Sequence, residues 1–184
     1  MRKVVWKLFV DYEKEEKWLN DMAAKGLAFE DYSFARYVFS DCKPGEYIYR
    51  IELLENSFRN PESQQYLSFM SETGAEPVAN WFRWIYFRKK AAEGVFELYS
   101  DIESKIAHFN RIMWLFFIIM CMEIVIGLSN INIGLQFRDG IHDGAPANFV
   151  IGVVCVCIGI VLFFPFNRTR LQVKKLRQDK LLME

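Results

Sequence analysis

Glu123 is the residue whose chemistry most needs explaining, because it stands inside an apolar run, Ile112 to Leu128, of about 17 residues. An acidic side chain at mid-membrane costs about 2.5–3.5 kcal/mol on insertion scales, so it must be neutral or face protein. Two uses fit. It can line an ion path or pair with a cation of a partner subunit, as in a small subunit of a transporter. Or it can stay neutral and hydrogen-bond across a helix–helix contact, to Ser129 or to a second copy of the chain. Packing is the preferred expectation and translocation the alternative.

The other reactive residues do not assemble. His108 and His142 have no Ser, Cys or carboxylate pattern that would make a triad or a metal site, and both are expected at the surface. No glycine-rich phosphate loop is present. Cys42 stands alone in the polar part of the chain, while Cys121, Cys155 and Cys157 lie in apolar runs. That distribution argues for reduced thiols rather than a disulfide framework. Cys155 and Cys157 would point about 200° apart on a helix, which does not suit zinc. The segment Trp81 to Lys90 interleaves aromatic and basic residues, as RNA-binding sheets do, but it lacks the glycine and spacing of the RRM signature. Net charge is zero, so no nucleic-acid partner is expected. The chain reads as non-enzymatic, with no catalytic residue, metal or cofactor.

The elements that position these residues fall into two parts. Lys3 to Val10 reads as a strand, and Lys7 and Asp11 leave no apolar stretch long enough for a signal peptide. Asp11 can cap a helix with Glu13, Glu15 and Glu16 in its first turn, where the dipole favours acidic groups. Tyr12, Leu19, Met22 and Ala23 form its apolar stripe, and Gly26 closes it. After an irregular stretch, Leu27 to Ser33, a hairpin turns at Pro44-Gly45 between alternating strands. Asn60, Pro61 and Gly74 punctuate a second helix whose buried face is Tyr66, Leu67, Phe69 and Met70. Trp81 to Arg88 then reads as one strand, and Val95 to Tyr99 as a short last one. The fold class expected for residues 1–100 is α+β, a ferredoxin-like split βαβ antiparallel sheet with two helices on one face.

A two-helix transmembrane hairpin follows. Ser100-Asp101-Ile102-Glu103 matches a capping box that starts a juxtamembrane helix over 101–111. That helix runs into a first span at 112–130; a loop at 131–147 leads to a second span at 148–167 and a basic tail at 168–184. Lys105 and Arg111 flank the first span, and the tail carries Arg168, Arg170, Lys174, Lys175, Arg177 and Lys180. The loop offers Arg138 alone. The positive-inside rule therefore puts both termini in the cytosol and makes the glycosylation-like Asn167-Arg168-Thr169 a chance match. Arg168, Arg170, Lys174, Lys175 and Arg177 are candidates for contact with anionic lipid, although they also serve as the topology signal.

The residues now in hand resemble the bacterial domain-of-unknown-function family 2812. The likeness rests on Glu15, Trp18-Leu19, Met22 and Gly26, then on Pro44-Gly45-Glu46-Tyr47-Ile48-Tyr49-Arg50, Gly74, Tyr86-Phe87-Arg88 and Tyr99-Ser100-Asp101. It covers about the first 105 residues, and many members carry a similar hairpin. The resemblance implies a two-pass protein of the bacterial plasma membrane, often encoded beside PadR-type regulators. It also implies a membrane-linked partner or sensor. The helix-covered sheet, the missing catalytic set and the capped connection into the first span lead to the expectation of a binding or sensory module. Its expected target is a protein partner, in a transcription-regulator or transporter system, or a small ligand. The resemblance carries over no catalytic residue. Homo-oligomerisation through the spans is a further expectation.

Overall fold

The computed structural model describes residues 2–99, 101–136 and 145–183, so His142, Arg138 and Ser100 lie outside the described residues. The chain divides into two compact units, Met1–Ser100 and Asp101–Glu184.

In the first unit the chain runs β1 (Lys3–Trp6), α1 (Tyr12–Ala24), β2 (Leu27–Ser33) and β3 (Arg36–Asp41). It continues with β4 (Tyr47–Leu53), α2 (Pro61–Glu72), β5 (Glu76–Trp81) and β6 (Trp84–Lys90). That is one β-α-β-β order written twice. Each copy forms a three-stranded sheet with its third strand in the middle, β1-β3-β2 and β4-β6-β5, and every pairing is antiparallel. The split βαβ unit expected from the sequence is therefore present in duplicate. A 48-residue offset relates the copies: Gly26 to Gly74 after each helix, the bulges after Phe29 and Pro77, and the hairpin tips at Phe34 and Phe82. Even the tie across each tip recurs, with Lys7 N donating to Ala35 O and Leu54 N to Arg83 O, each at 2.8 Å.

Local chemistry explains the boundaries. The Asp11 side chain accepts from Glu13 N and Lys14 N, and Asn60 accepts from Glu62 N with Pro61 opening the helix behind it. Gly26 sits at φ +80°, where an added Cβ would stand 3.0 Å from Cys42 O. Several expectations need correction. Arg36–Asp41 and Tyr47–Leu53 do not pair as a hairpin about Pro44-Gly45, because β3 and β4 lie in different sheets. Leu27–Ser33 is a strand, hidden in the sequence because a bulge between Phe29 and Asp31 breaks the period-two alternation. Trp81 to Arg88 is not one strand but the end of β5, a two-residue turn and most of β6. Val95 to Tyr99 forms no strand; Phe96 is buried and its carbonyl accepts from Arg50 Nε at 2.9 Å. On α2, Ser63, Leu67 and Met70 face inward, whereas Phe69 is 59% exposed.

The main core combines Leu19, Met22 and Ala23 of α1 with Phe29, Tyr37, Phe39, Tyr49, Ile51 and Tyr86 from both sheets. The edge of β4 is covered by side chains of α1. Asn20 both donates to Tyr49 O and accepts from Tyr49 N, and Glu16 accepts from Ile51 N. Two residues one helical turn apart thus stand in for a neighbouring strand and close an edge open to association.

The second unit is a hairpin of α3 (Ile102–Gln136) and α4 (Ala145–Met183), both long and apolar enough to cross a membrane. Asp101 is the N-cap of α3, accepting from Ser104 N at 2.7 Å and from Ser104 Oγ, and these bonds hold its carboxyl below the usual range. The helices close on glycines spaced every seven residues, the repeat that keeps one face toward the partner helix. A Cβ on Gly127 would meet Val156 at 2.8 Å, one on Gly134 would meet Phe149 at 2.8 Å, and one on Gly152 would meet Gly127 O at 2.6 Å.

Candidate functional site

Glu15 lies on the same helical face as Leu19, Met22 and Ala23, so the apolar stripe that buries α1 carries a carboxylate inward. Glu15 is in the first turn, as the sequence places it, but its side chain is buried. Two phenols meet it: Tyr37 and Tyr86, one from each sheet, donate to the same Oε1 at 2.7 Å each. Among the described residues no cation pairs with Glu15. Burial raises its pKa, and the two hydrogen bonds only partly oppose that rise. Burial and the Glu15 charge push both phenols far above the ordinary tyrosine range, so they remain neutral donors. Trp18 lies edge-on to Tyr37 at 4.8 Å between centroids, and Phe29 lies 5.3 Å from Tyr86. The carboxylate is thus enclosed by core rings and clamps the two sheets to α1. Tyr49, whose hydroxyl accepts from Phe29 N at 2.8 Å, is pushed up to about 12 by burial.

The surface feature of this unit lies at the paired hairpin tips. Phe34 and Ala35 have φ +22° and +62°, and Phe82 has φ +53°. Two-residue hairpin loops with positive φ normally use Gly or Asn, because a Cβ in this region costs roughly 1–2 kcal/mol. Here the positions hold phenylalanines that are 69% and 78% exposed. Trp81 links the tips, its ring 6.3 Å from Phe34 and 5.2 Å from Phe82. Trp6 ends β1 opposite Arg36 and is 69% exposed. The tips are also tied down. Ala35 N donates to Tyr32 Oη at 3.1 Å, and the Arg83 guanidinium donates to Leu54 O and Glu55 O. The tips thus hold two large exposed aromatics on backbone that favours glycine. Sequence reasoning missed them because neither turn contains Gly, Pro, Asn or Asp; the 48-residue recurrence was the available signal.

In the second unit Glu123 is half-buried and faces α4, with Cys155 within hydrogen-bonding reach and Gly159 close by. Ser129, the partner considered from sequence, instead donates to Val125 O of its own helix at 2.8 Å. Cys157 is exposed while Cys155 faces inward, as their angular separation requires. His108 corrects a surface expectation: it is 2% exposed, and burial followed by the Arg111 charge pushes its pKa down to about 3. Of the five basic tail residues named from sequence, Arg170, Lys174 and Arg177 line a groove between α3 and α4, whereas Arg168 and Lys175 do not.

No curated protein and no solved structure matches the chain. The family model described as a protein of unknown function, DUF2812, matches residues 11–121, from the cap of α1 into the apolar part of α3. The match reaches past the first 105 residues on which the sequence likeness rested, and so includes Glu15, both tips and half of the first long helix. The chain belongs to the DUF2812 family.

Proposed function

We propose that this protein is a non-enzymatic binding module anchored in the bacterial plasma membrane, and that its α+β unit engages a partner protein through the aromatic hairpin tips. The hairpin spans the membrane twice with both termini in the cytosol, the arrangement that the basic residues flanking the apolar runs support. The observation that carries the reading is the pair Phe34 and Phe82, held exposed on tied two-residue turns where a folding-only sequence would place glycine. Aromatic residues, phenylalanine among them, are enriched at protein interfaces, where a few anchors carry most of the binding energy. A regulator encoded beside the gene is the partner class that the family resemblance implies. The buried carboxylate does not favour catalysis, since its Oε1 is occupied by two core phenols. Glu123 packs against Cys155 and Gly159 of the same hairpin, which supports a packing role over ion translocation.

A photocrosslinking residue placed at 34, at 82 or at the exposed α2 position Gln65 tests this in the native strain. The expected result is one shared protein adduct from both tips, absent at Gln65 and lost when the opposite tip is changed to serine. Tip labelling no different from that at Gln65, or confined to lipid, would sink the proposal.

A further inference from the structure

The groove between α3 and α4 has a volume of about 620 Å³ and begins at Asn167, where the charge-free run of the second apolar stretch ends. Arg170, Lys174 and Arg177 line it, spaced four and three residues apart on α4, so all three stand on one helix face. Asn110 of α3 and Asn167 and Gln178 of α4 add neutral amides. No acidic residue is among the lining residues, although Glu103 and Asp179 belong to the same two helices. The polar wall is backed by apolar side chains, Met113 toward the apolar stretch and Leu181 toward the chain end. The volume falls in the range of small-molecule sites. Cations, amide donors and an apolar flank in one recess at the end of a membrane-length helix match one ligand chemistry: a phosphate ester attached to acyl chains. Arg and Lys suit its anionic oxygens, and the apolar flank suits the chains beside it.

We propose that this groove is a specific site for the headgroup of an anionic phospholipid, held by Arg170, Lys174 and Arg177 and oriented by the amides of Asn110 and Gln178. The inference rests on the reading of the hairpin as membrane-embedded. It goes beyond a diffuse basic tail because it separates the cations that line the groove from Arg168 and Lys175, which carry the same charge on the same helix but lie outside it.

That separation provides a charge-matched control. R170Q/K174Q and R168Q/K175Q each remove one arginine and one lysine. Full-length protein is solubilised in mild detergent with phosphatidylglycerol and phosphatidylcholine, and bound lipid is measured by native mass spectrometry. The wild type is expected to retain phosphatidylglycerol preferentially. R170Q/K174Q should bind it about 30-fold more weakly, and R168Q/K175Q within about threefold of wild type, given about fivefold for each cation near the surface. Equal loss in the two variants would overturn the site in favour of diffuse electrostatics. Displacement of the lipid by millimolar inorganic phosphate would overturn it in favour of a soluble phosphate compound. Carbonate extraction of membranes separates the two levels of failure. A chain released by carbonate refutes the embedded hairpin and the site with it; a chain that stays embedded but retains no phosphatidylglycerol refutes the site alone.

Discussion

Replacing Glu15 with leucine should destabilise the α+β unit by about 3–4 kcal/mol, and the reason can be worked from three atoms. Tyr37 and Tyr86 each donate to Glu15 Oε1 at 2.7 Å from buried positions, at 1% and 3% exposure. Removing the acceptor leaves two hydroxyls without a partner in the core, and each such group costs about 1–3 kcal/mol. Leucine recovers part of this, because the carboxylate itself was held away from water. The converse substitution sharpens the test. Tyr37→Phe or Tyr86→Phe alone removes one donor and should cost about 1–1.5 kcal/mol. The triple variant E15L/Y37F/Y86F replaces the whole polar cluster by apolar groups of similar shape, and should return to within about 1 kcal/mol of wild type. Hydrogen exchange of the full chain in detergent, followed on peptides from α1, β3 and β6, reads these changes locally. A loss of 3 kcal/mol appears as about a hundredfold faster exchange. A triple variant as unstable as E15L would refute the reasoning, since the cost would then come from lost shape rather than from stranded hydroxyls.

The same carboxylate predicts a pH effect. Its folded pKa is raised above the unfolded value, so the stability it contributes is present at acid pH and declines as pH rises through the folded pKa. Glu15→Gln, which keeps an acceptor oxygen, should flatten that decline in a melting-temperature series running upward from pH 4.5, the ordinary glutamate value. At the tips, Phe82→Gly should relieve backbone strain and raise local stability by about 1 kcal/mol, while reducing crosslinking to the partner. Faster exchange in β5 and β6 of that variant would contradict the strain assignment. In the hairpin, Gly152→Val should separate α3 from α4, because its Cβ would stand 2.6 Å from Gly127 O and 2.7 Å from Ile131 N. A disulfide trap between cysteines placed across the contact should then form more slowly, while Glu123→Gln should leave its rate unchanged.

How much of the fold is legible in the sequence depends on how far apart the deciding residues lie in the chain. Asp11, Gly26, Asn60, Pro61 and Gly74 act within a few residues of themselves, so the helix boundaries they set can be read from the residues alone. The fold class and the two long apolar helices are readable for the same reason, since periodicity and length are local properties. The bulges are not, because an inserted residue such as Glu30 erases the alternation that announces a strand. The turn at Phe82-Arg83 is not, because its residues are poor turn formers and the turn is held by distant groups at Leu54 and Glu55. The candidate sites are the least legible. Nothing near Glu15 in sequence says that Tyr37 and Tyr86, 22 and 71 residues away, both end on its carboxylate. Likewise five basic residues in one tail look alike until the facing helix divides them.

Sequence by itself therefore determined the fold class, where the capped helices begin, and that two of the helices have membrane length and apolarity. Tertiary structure alone decided that Glu15 is held between two sheets by Tyr37 and Tyr86, and which cations share a groove with α3. The physical reason is that caps and periodicity are set by neighbours along the chain, whereas burial and charge placement are set by whatever the folded chain brings alongside.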